Sequence, residues 1–178
     1  WGLADSAGND QHGRFVVFES IAINLVPDDT NGASDVFERD LCASVPGCSQ
    51  STARISLTDA GEEIAGHSWS SNFLRWEGET MPFVTAADGV VDGDTNGFTD
   101  VYVRHHCPYG APSYCAENTR RVSIGADGAQ TDGDSYAPRM SHDPFGAWLI
   151  TYISEASNIL SERVFIPNDG NIYMDLAN

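Results

Sequence analysis

The stretch NLVPDDTNGASDVFERDLC, residues 24–42, returns as GVVDGDTNGFTDVYVRHHC, residues 89–107, and this self-match decides how the chain is read. Beyond it, TARIS from Thr52 returns as TRRVS from Thr119, and GEEIAGHSW from Gly61 returns as GAQTDGDSY from Gly128. A partial third copy follows: ITYISEASNIL from Ile150 matches VVFESIAINLV from Val16, and NIYMDL from Asn171 matches DVFERDL from Asp35. A period of roughly 65 residues marks one supersecondary unit stacked repeatedly, each unit burying its apolar face on the next. One repeat domain over 1–178 then divides into units 1–67, 68–134 and an incomplete 135–178.

Within each unit, short runs rich in Val, Ile, Phe and Tyr alternate with clusters of Gly, Asp, Asn and Pro, the pattern of strands and turns. In the second unit these runs predict strands near Ser68–Leu74, Pro82–Ala86, Asp100–His106 and Thr119–Ile124. No segment sustains a helical period. The expectation is an all-β chain of β-propeller-type repeats, each a four-stranded antiparallel blade, with about two and a half blades present. A β-sandwich is the alternative, and it has less need of the long repeat.

The segments GRFVVFES, NLVPDDTNGASDVFERDL, TRRVSIGADG and GDSYAPRMS resemble the TolB-type, WD40-like propeller repeats of exported bacterial proteins. The resemblance spans nearly the whole chain and implies a propeller fold. It implies little about function, because such repeats serve many binding tasks. The third loop, LSERVFIPNDGN, departs from the pattern by its length and by lacking DTNG. Propellers usually close with four to eight blades, so an arc of this size leaves strand edges and a terminal face for further chain or for partners to cover.

Composition narrows the function. The 178 residues are 41% hydrophobic, enough for a sizeable core. A net charge of −17, from 26 acidic and 9 basic residues, repels nucleic acid and anionic lipid and attracts cations and basic partners. Nucleic-acid binding is excluded on that ground. No stretch approaches the roughly 20 apolar residues of a membrane-spanning helix. The chain opens at Trp1 without a leader pattern, as a processed chain or a piece of a longer one would.

Four cysteines form two close pairs, Cys42 with Cys48 and Cys107 with Cys115, at matching places in the repeats. Pro and Gly inside CASVPGC and CPYGAPSYC favour tight reversal, which brings the paired sulfurs within bridging reach. A shared zinc site is the rival, but the gaps exceed the two to four residues usual there. Two local disulfides imply an oxidising place: secreted, periplasmic or cell-surface.

The sharpest chemical candidate is DGDTNGFTD, which sets side-chain oxygens at Asp92, Asp94, Asn96 and Asp100 and a main-chain carbonyl at Phe98, with Gly97 permitting the turn. Oxygens at that spacing resemble the first part of a calcium loop, so calcium is the expected cofactor. Val103 stands where such a loop places its last Glu, and a solvated Asx turn is the competing account. The sister loop keeps Asp29, Asn31 and Asp35 but has Pro27 at the first ligand position.

His105 and His106 adjoin on one strand and should face opposite ways. His12, His67 and His142 occur singly, where surface or hydrogen-bonding roles are expected. Trp1, Trp69, Trp76, Tyr136 and Trp148 are expected to pack between units, with stacking against sugars as the sharper alternative. Arg54 and Arg121 occupy matching positions and should pair with repeat carboxylates. Common hydrolase, metalloprotease and nucleotide signatures are missing, although paired carboxylates for glycoside cleavage stay open. The expected role is a noncatalytic module that binds other protein chains or its own copies. The alternatives are a polysaccharide-binding or carbohydrate-active domain and an accessory subunit of a larger complex.

Overall fold

The computed structural model describes residues 8–9, 13–43, 45–70, 80–111, 113–125, 128–142, 148–159 and 173–175. Among them every regular element is a strand: β1 (Gly8–Asn9), β2 (Phe15–Ser20), β3 (Asp35–Asp40), β4 (Ser51–Arg54), β5 (Ser68–Trp69), β6 (Thr80–Thr85), β7 (Asp100–His105), β8 (Asn118–Arg121), β9 (Ser135–His142), β10 (Trp148–Ser154) and β11 (Tyr173–Asp175). The chain is all-β. No helix among the described residues is long and apolar enough to cross a membrane.

Strands β1 to β4 form one four-stranded antiparallel sheet in chain order, and β5 to β8 form a second. Each is a meander, since every strand pairs with the one that precedes it in the chain. The second sheet follows the predicted runs, with β6 starting two residues earlier and β8 ending three residues earlier than the sequence suggests. The tail of the first run, 71–74, lies outside the described residues.

The third sheet has the order β11-β10-β9. Strands β9 and β10 pair antiparallel, as β1 with β2 and β5 with β6 do, here with a bulge near Thr151, but β11 pairs parallel to β10. NIYMDL therefore does not repeat the antiparallel pairing of β3 and β7. The connection 155–172 exceeds the dozen or so residues a parallel crossover requires, so length permits the switch. Residues 160–172 lie outside the described residues, and with them LSERVFIPNDGN.

The middle strands β3 and β7 are buried on both faces, with Val36, Phe37, Val101 and Tyr102 fully enclosed. One buried cluster spans the sheets, with Val17, Val36 and Ile55 from the first unit, Met81, Phe83 and Tyr102 from the second, and Met140, Ile150 and Tyr152 from the third. Phe83 stacks on Tyr102 with ring centroids 5.4 Å apart. Backbone bonds stitch successive units, Ser68 N donating to Ser34 O and Ser135 N donating to Thr99 O, both at 2.7 Å.

Both predicted disulfides are present, with Cα separations of 5.6 Å for Cys42–Cys48 and 6.0 Å for Cys107–Cys115.

Candidate functional site: arginine-clamped DTNG loops

The DTNG loop joins the second and third strands of its unit. Gly32 and Gly97 sit at φ of 65° and 69°, a left-handed conformation that a Cβ disfavours. This turn aims the preceding Asn inward. Asn31 Nδ2 donates to Asp35 Oδ2 at 3.1 Å and to Ile64 O at 2.9 Å, while its Oδ1 receives Ala33 N at 2.7 Å. Asn96 repeats all three contacts with Asp100 at 3.0 Å, Thr131 O at 3.1 Å and Phe98 N at 3.3 Å.

Asp35 and Asp100, both fully buried, are met from the fourth strand and the turn after it. Ser56 Oγ donates to Asp35 at 2.6 Å and Ser123 Oγ donates to Asp100 at 2.5 Å. The same hydroxyls receive Val36 N and Val101 N. Burial of charge on this scale requires a counterion. Arg54 supplies it in the first unit, lying 3.4 Å from Asp29, 3.7 Å from Asp35 and 2.6 Å from Glu63. Arg121 supplies it in the second, 2.9 Å from Asp94 and 3.2 Å from Asp100, with Gln130 Oε1 at 3.3 Å. Both guanidinium groups are buried, so these are interior pairs rather than the weak exposed ones that sequence alone allows.

The titration of these groups follows from their surroundings. Burial raises the Asp35 and Asp94 carboxyls above their ordinary range, against the pull of Ser56 and Arg54 on one and of Tyr102 and Arg121 on the other. Tyr102 donates its hydroxyl to Asp94, and burial together with that carboxylate drives the phenol far up. Glu63 goes the other way: partial burial opposes ionisation, but the Thr30 hydroxyl, the Thr30 amide and Arg54 hold it down at about 2. Thr30 contributes bonds of 2.9 and 2.7 Å to Glu63. In the second unit Thr95 N donates to Gln130 Oε1 as Thr30 N does to Glu63, and Gln130 Nε2 donates to Thr95 Oγ1, so the same positions are joined without the charge and with the hydroxyl now accepting.

The structure thus brings Asp94, Asn96 and Asp100 together and leaves Asp92 on the exposed side of the turn. Phe98 donates its backbone NH to Asn96 Oδ1 at 3.3 Å. Among the first-unit residues, the Asp29, Asp35 and Glu63 oxygens lie within 4.8 Å of one another, close enough to share a cation. Arg54 ion-pairs with all three of them. A donor set centred on a guanidinium does not fit calcium as well, because a second positive charge would stand beside the first. Glu63, Gln130, Ser56, Ser123 and Thr131 escaped sequence reasoning. The signal was available, since Ser56 with Ser123 and Glu63 with Gln130 fall in matching columns of the repeat.

Each loop also reaches the segment that enters the next unit. Ser34 N donates to His67 Nδ1 at 2.8 Å, and Thr99 N donates to Asp134 Oδ1 at 2.7 Å. His67 therefore has the expected hydrogen-bonding role. At the third unit, without DTNG, Asp132 accepts Ser157 N at 2.6 Å and Ser157 Oγ at 2.5 Å, which pulls its carboxyl down.

Several expectations fall elsewhere. Trp69 and Tyr136, expected between units, are 43% and 36% exposed, because as second residues of β5 and β9 they face away from the buried Ser68 and Ser135. Trp1, Trp76 and His12 lie outside the described residues, as do the side chains of His142 and Trp148. His105 and His106 do diverge: His105 Nε2 meets Cys115 Sγ at 3.4 Å, whereas His106 meets Glu117 at 2.9 Å and Glu38 at 3.8 Å. A cleft of about 190 Å³ beside His106 is lined by Glu38, Asp40, Ser51, Thr52 and Tyr109. Arg14 grips Asp40 there with two bonds of 2.9 and 2.7 Å.

No family model, curated protein or solved structure matches this chain.

Proposed function

We propose that the chain is a noncatalytic, propeller-type repeat module of the cell exterior, resembling TolB-type repeats, that associates with copies of itself through the outer face of its third sheet. Two four-stranded antiparallel meanders, a core running through successive sheets and a loop that clamps each unit to the next support the repeat assignment. Two disulfides support an exported location.

One observation carries the association. Val84 and Ile153 hold equivalent places, paired across the sheet with Trp69 and Tyr136 respectively. Val84 is 7% exposed within the core, whereas Ile153 is 54% exposed. The face that the third unit covers on the second is thus open on the third, among the described residues, and covering it removes apolar surface from water. Size-exclusion chromatography with light scattering tests this: the chain is expected to run as a concentration-dependent oligomer and Ile153→Asp as a monomer. A wild-type monomer at high micromolar concentration refutes self-association.

A second reading is favoured by the exposure of Trp69 and Tyr136, at matching places in the second and third units, which suits stacking on a polysaccharide. A glycan array with wild type and Trp69→Ala tests it, and absence of retention sinks it.

A further inference from the structure

We propose that the Cys107–Cys115 bridge covers a latent metal site, in which His105 and the two thiolates released by reduction bind zinc. His105 Nε2, Cys107 Sγ and Cys115 Sγ lie within 4.8 Å of one another. The decisive distance is the 3.4 Å between His105 Nε2 and Cys115 Sγ. Two ligands on one tetrahedral zinc, at about 2.0–2.1 Å for nitrogen and about 2.3 Å for sulfur, stand about 3.5 Å apart. The imidazole is already where zinc needs it. The sulfurs must part to about 3.8 Å, the span of two thiolates on such an ion. Their Cα atoms, 6.0 Å apart on a turn containing Pro108 and Gly110, leave room for that.

The opposite ring nitrogen, Nδ1, faces Thr80 Oγ1 at 3.4 Å, an outer contact that orients the ring with Nε2 toward the sulfurs. All three ligands are half-buried rather than enclosed, so solvent ions can reach them. Three protein ligands leave a fourth position for water or a partner group.

The chemistry balances. An external dithiol gives two electrons and two protons to the bridge, the S–S bond breaks, and the reductant closes its own disulfide. Zinc then displaces both thiol protons to solvent as the two Zn–S bonds form.

The repeat contains its own control. The position of His105 is held in the first unit by Asp40, which also lies near its bridge, 3.7 Å from Cys48 Sγ. Asp40 and the two sulfurs of the first bridge also lie within 4.8 Å of one another, but Arg14 and the Cys42 amide already bind that carboxylate, which makes it a poorer third ligand than His105.

The test uses the full chain, reduced with a phosphine, freed of it and kept anaerobic, then titrated with cobalt(II) as a spectroscopic stand-in and back-titrated with zinc. One cobalt per chain is expected, with thiolate charge-transfer and tetrahedral bands that zinc abolishes, and no such bands before reduction. Cys42→Ser/Cys48→Ser should keep the bands. His105→Ala and His105→Gln should each weaken cobalt binding by about tenfold or more. The proposal is overturned if the reduced, folded chain gives no thiolate bands, if both His105 variants bind as wild type does, or if reduction abolishes the β-sheet circular dichroism.

Discussion

Replacing Arg121 by Met keeps most of the buried stem and removes the guanidinium's charge together with its hydrogen-bond donors to Asp94, Asp100 and Gln130, so it isolates what the guanidinium does. Asp94 and Asp100, which are 2% and 0% exposed, would lose their counterion together. Breaking a buried pair from one side typically costs about 3–5 kcal/mol, because the remaining charge stays desolvated. For a chain of 178 residues, at about 2–4 °C per kcal/mol, that is a fall in Tm of about 6–20 °C. The pH dependence identifies the cause. Burial already raises the Asp94 carboxyl above 3.8, and removing Arg121 raises it further. A group whose folded pKa is raised binds its proton first in the folded state, so the deficit of Arg121→Met should narrow as pH falls from 7 through that raised value. Urea unfolding at pH 7 and pH 5 would measure both effects. A loss below about 1 kcal/mol, or a deficit that widens in acid, refutes the claim that an interior ion pair holds this loop.

Chelation follows from the same geometry: with Arg54 and Arg121 as resident cations, excess chelator should leave the wild-type Tm unchanged, and a clear fall would restore calcium to the loops. Glu63→Gln copies the second unit and keeps the Thr30 bonds. Because the carboxylate is held at about 2 against an ordinary 4.5, its contribution is complete above pH 4.5 and lost as pH falls toward 2. Wild type should exceed the variant by about 1 kcal/mol at most at neutral pH, after solvent screening, with the gap closing in acid denaturation curves. Gly97→Ala meets nothing within 4 Å, so its cost should be that of the left-handed backbone alone, about 1–2 kcal/mol by urea unfolding.

Strand content was legible because alternating apolar runs and turn residues act locally, and the repeat supplied two copies of each run. Partnerships across the sequence were less so. DTNG reads as a metal loop in one dimension because Asp, Asn and Gly serve turns and cations alike. Arg121, 21 residues beyond Asp100, is set opposite Tyr102 by the pairing of β7 with β8, and its side chain reaches the Asp100 carboxylate at 3.2 Å, a partnership no local motif displays. Trp69 and Tyr136 were misplaced because a strand's period fixes alternation but not which face is covered. The parallel pairing of β11 was also hidden, since NIYMDL carries the same residue types as β3 whichever way it runs.

The two units solve one problem with different charges, which indicates what the loop is for. Glu63 and Gln130 both hold the Thr of DTNG, and Asn31 and Asn96 both reach a carbonyl on the segment entering the next sheet. Only the first unit adds the third carboxylate. A metal loop would need its charge count preserved, because affinity depends on it. A mechanical tie between units needs the hydrogen-bond geometry preserved and tolerates a change of charge. The substitution of Gln for Glu at the same contact therefore favours the tie, with the DTNG motif serving the contact between successive units.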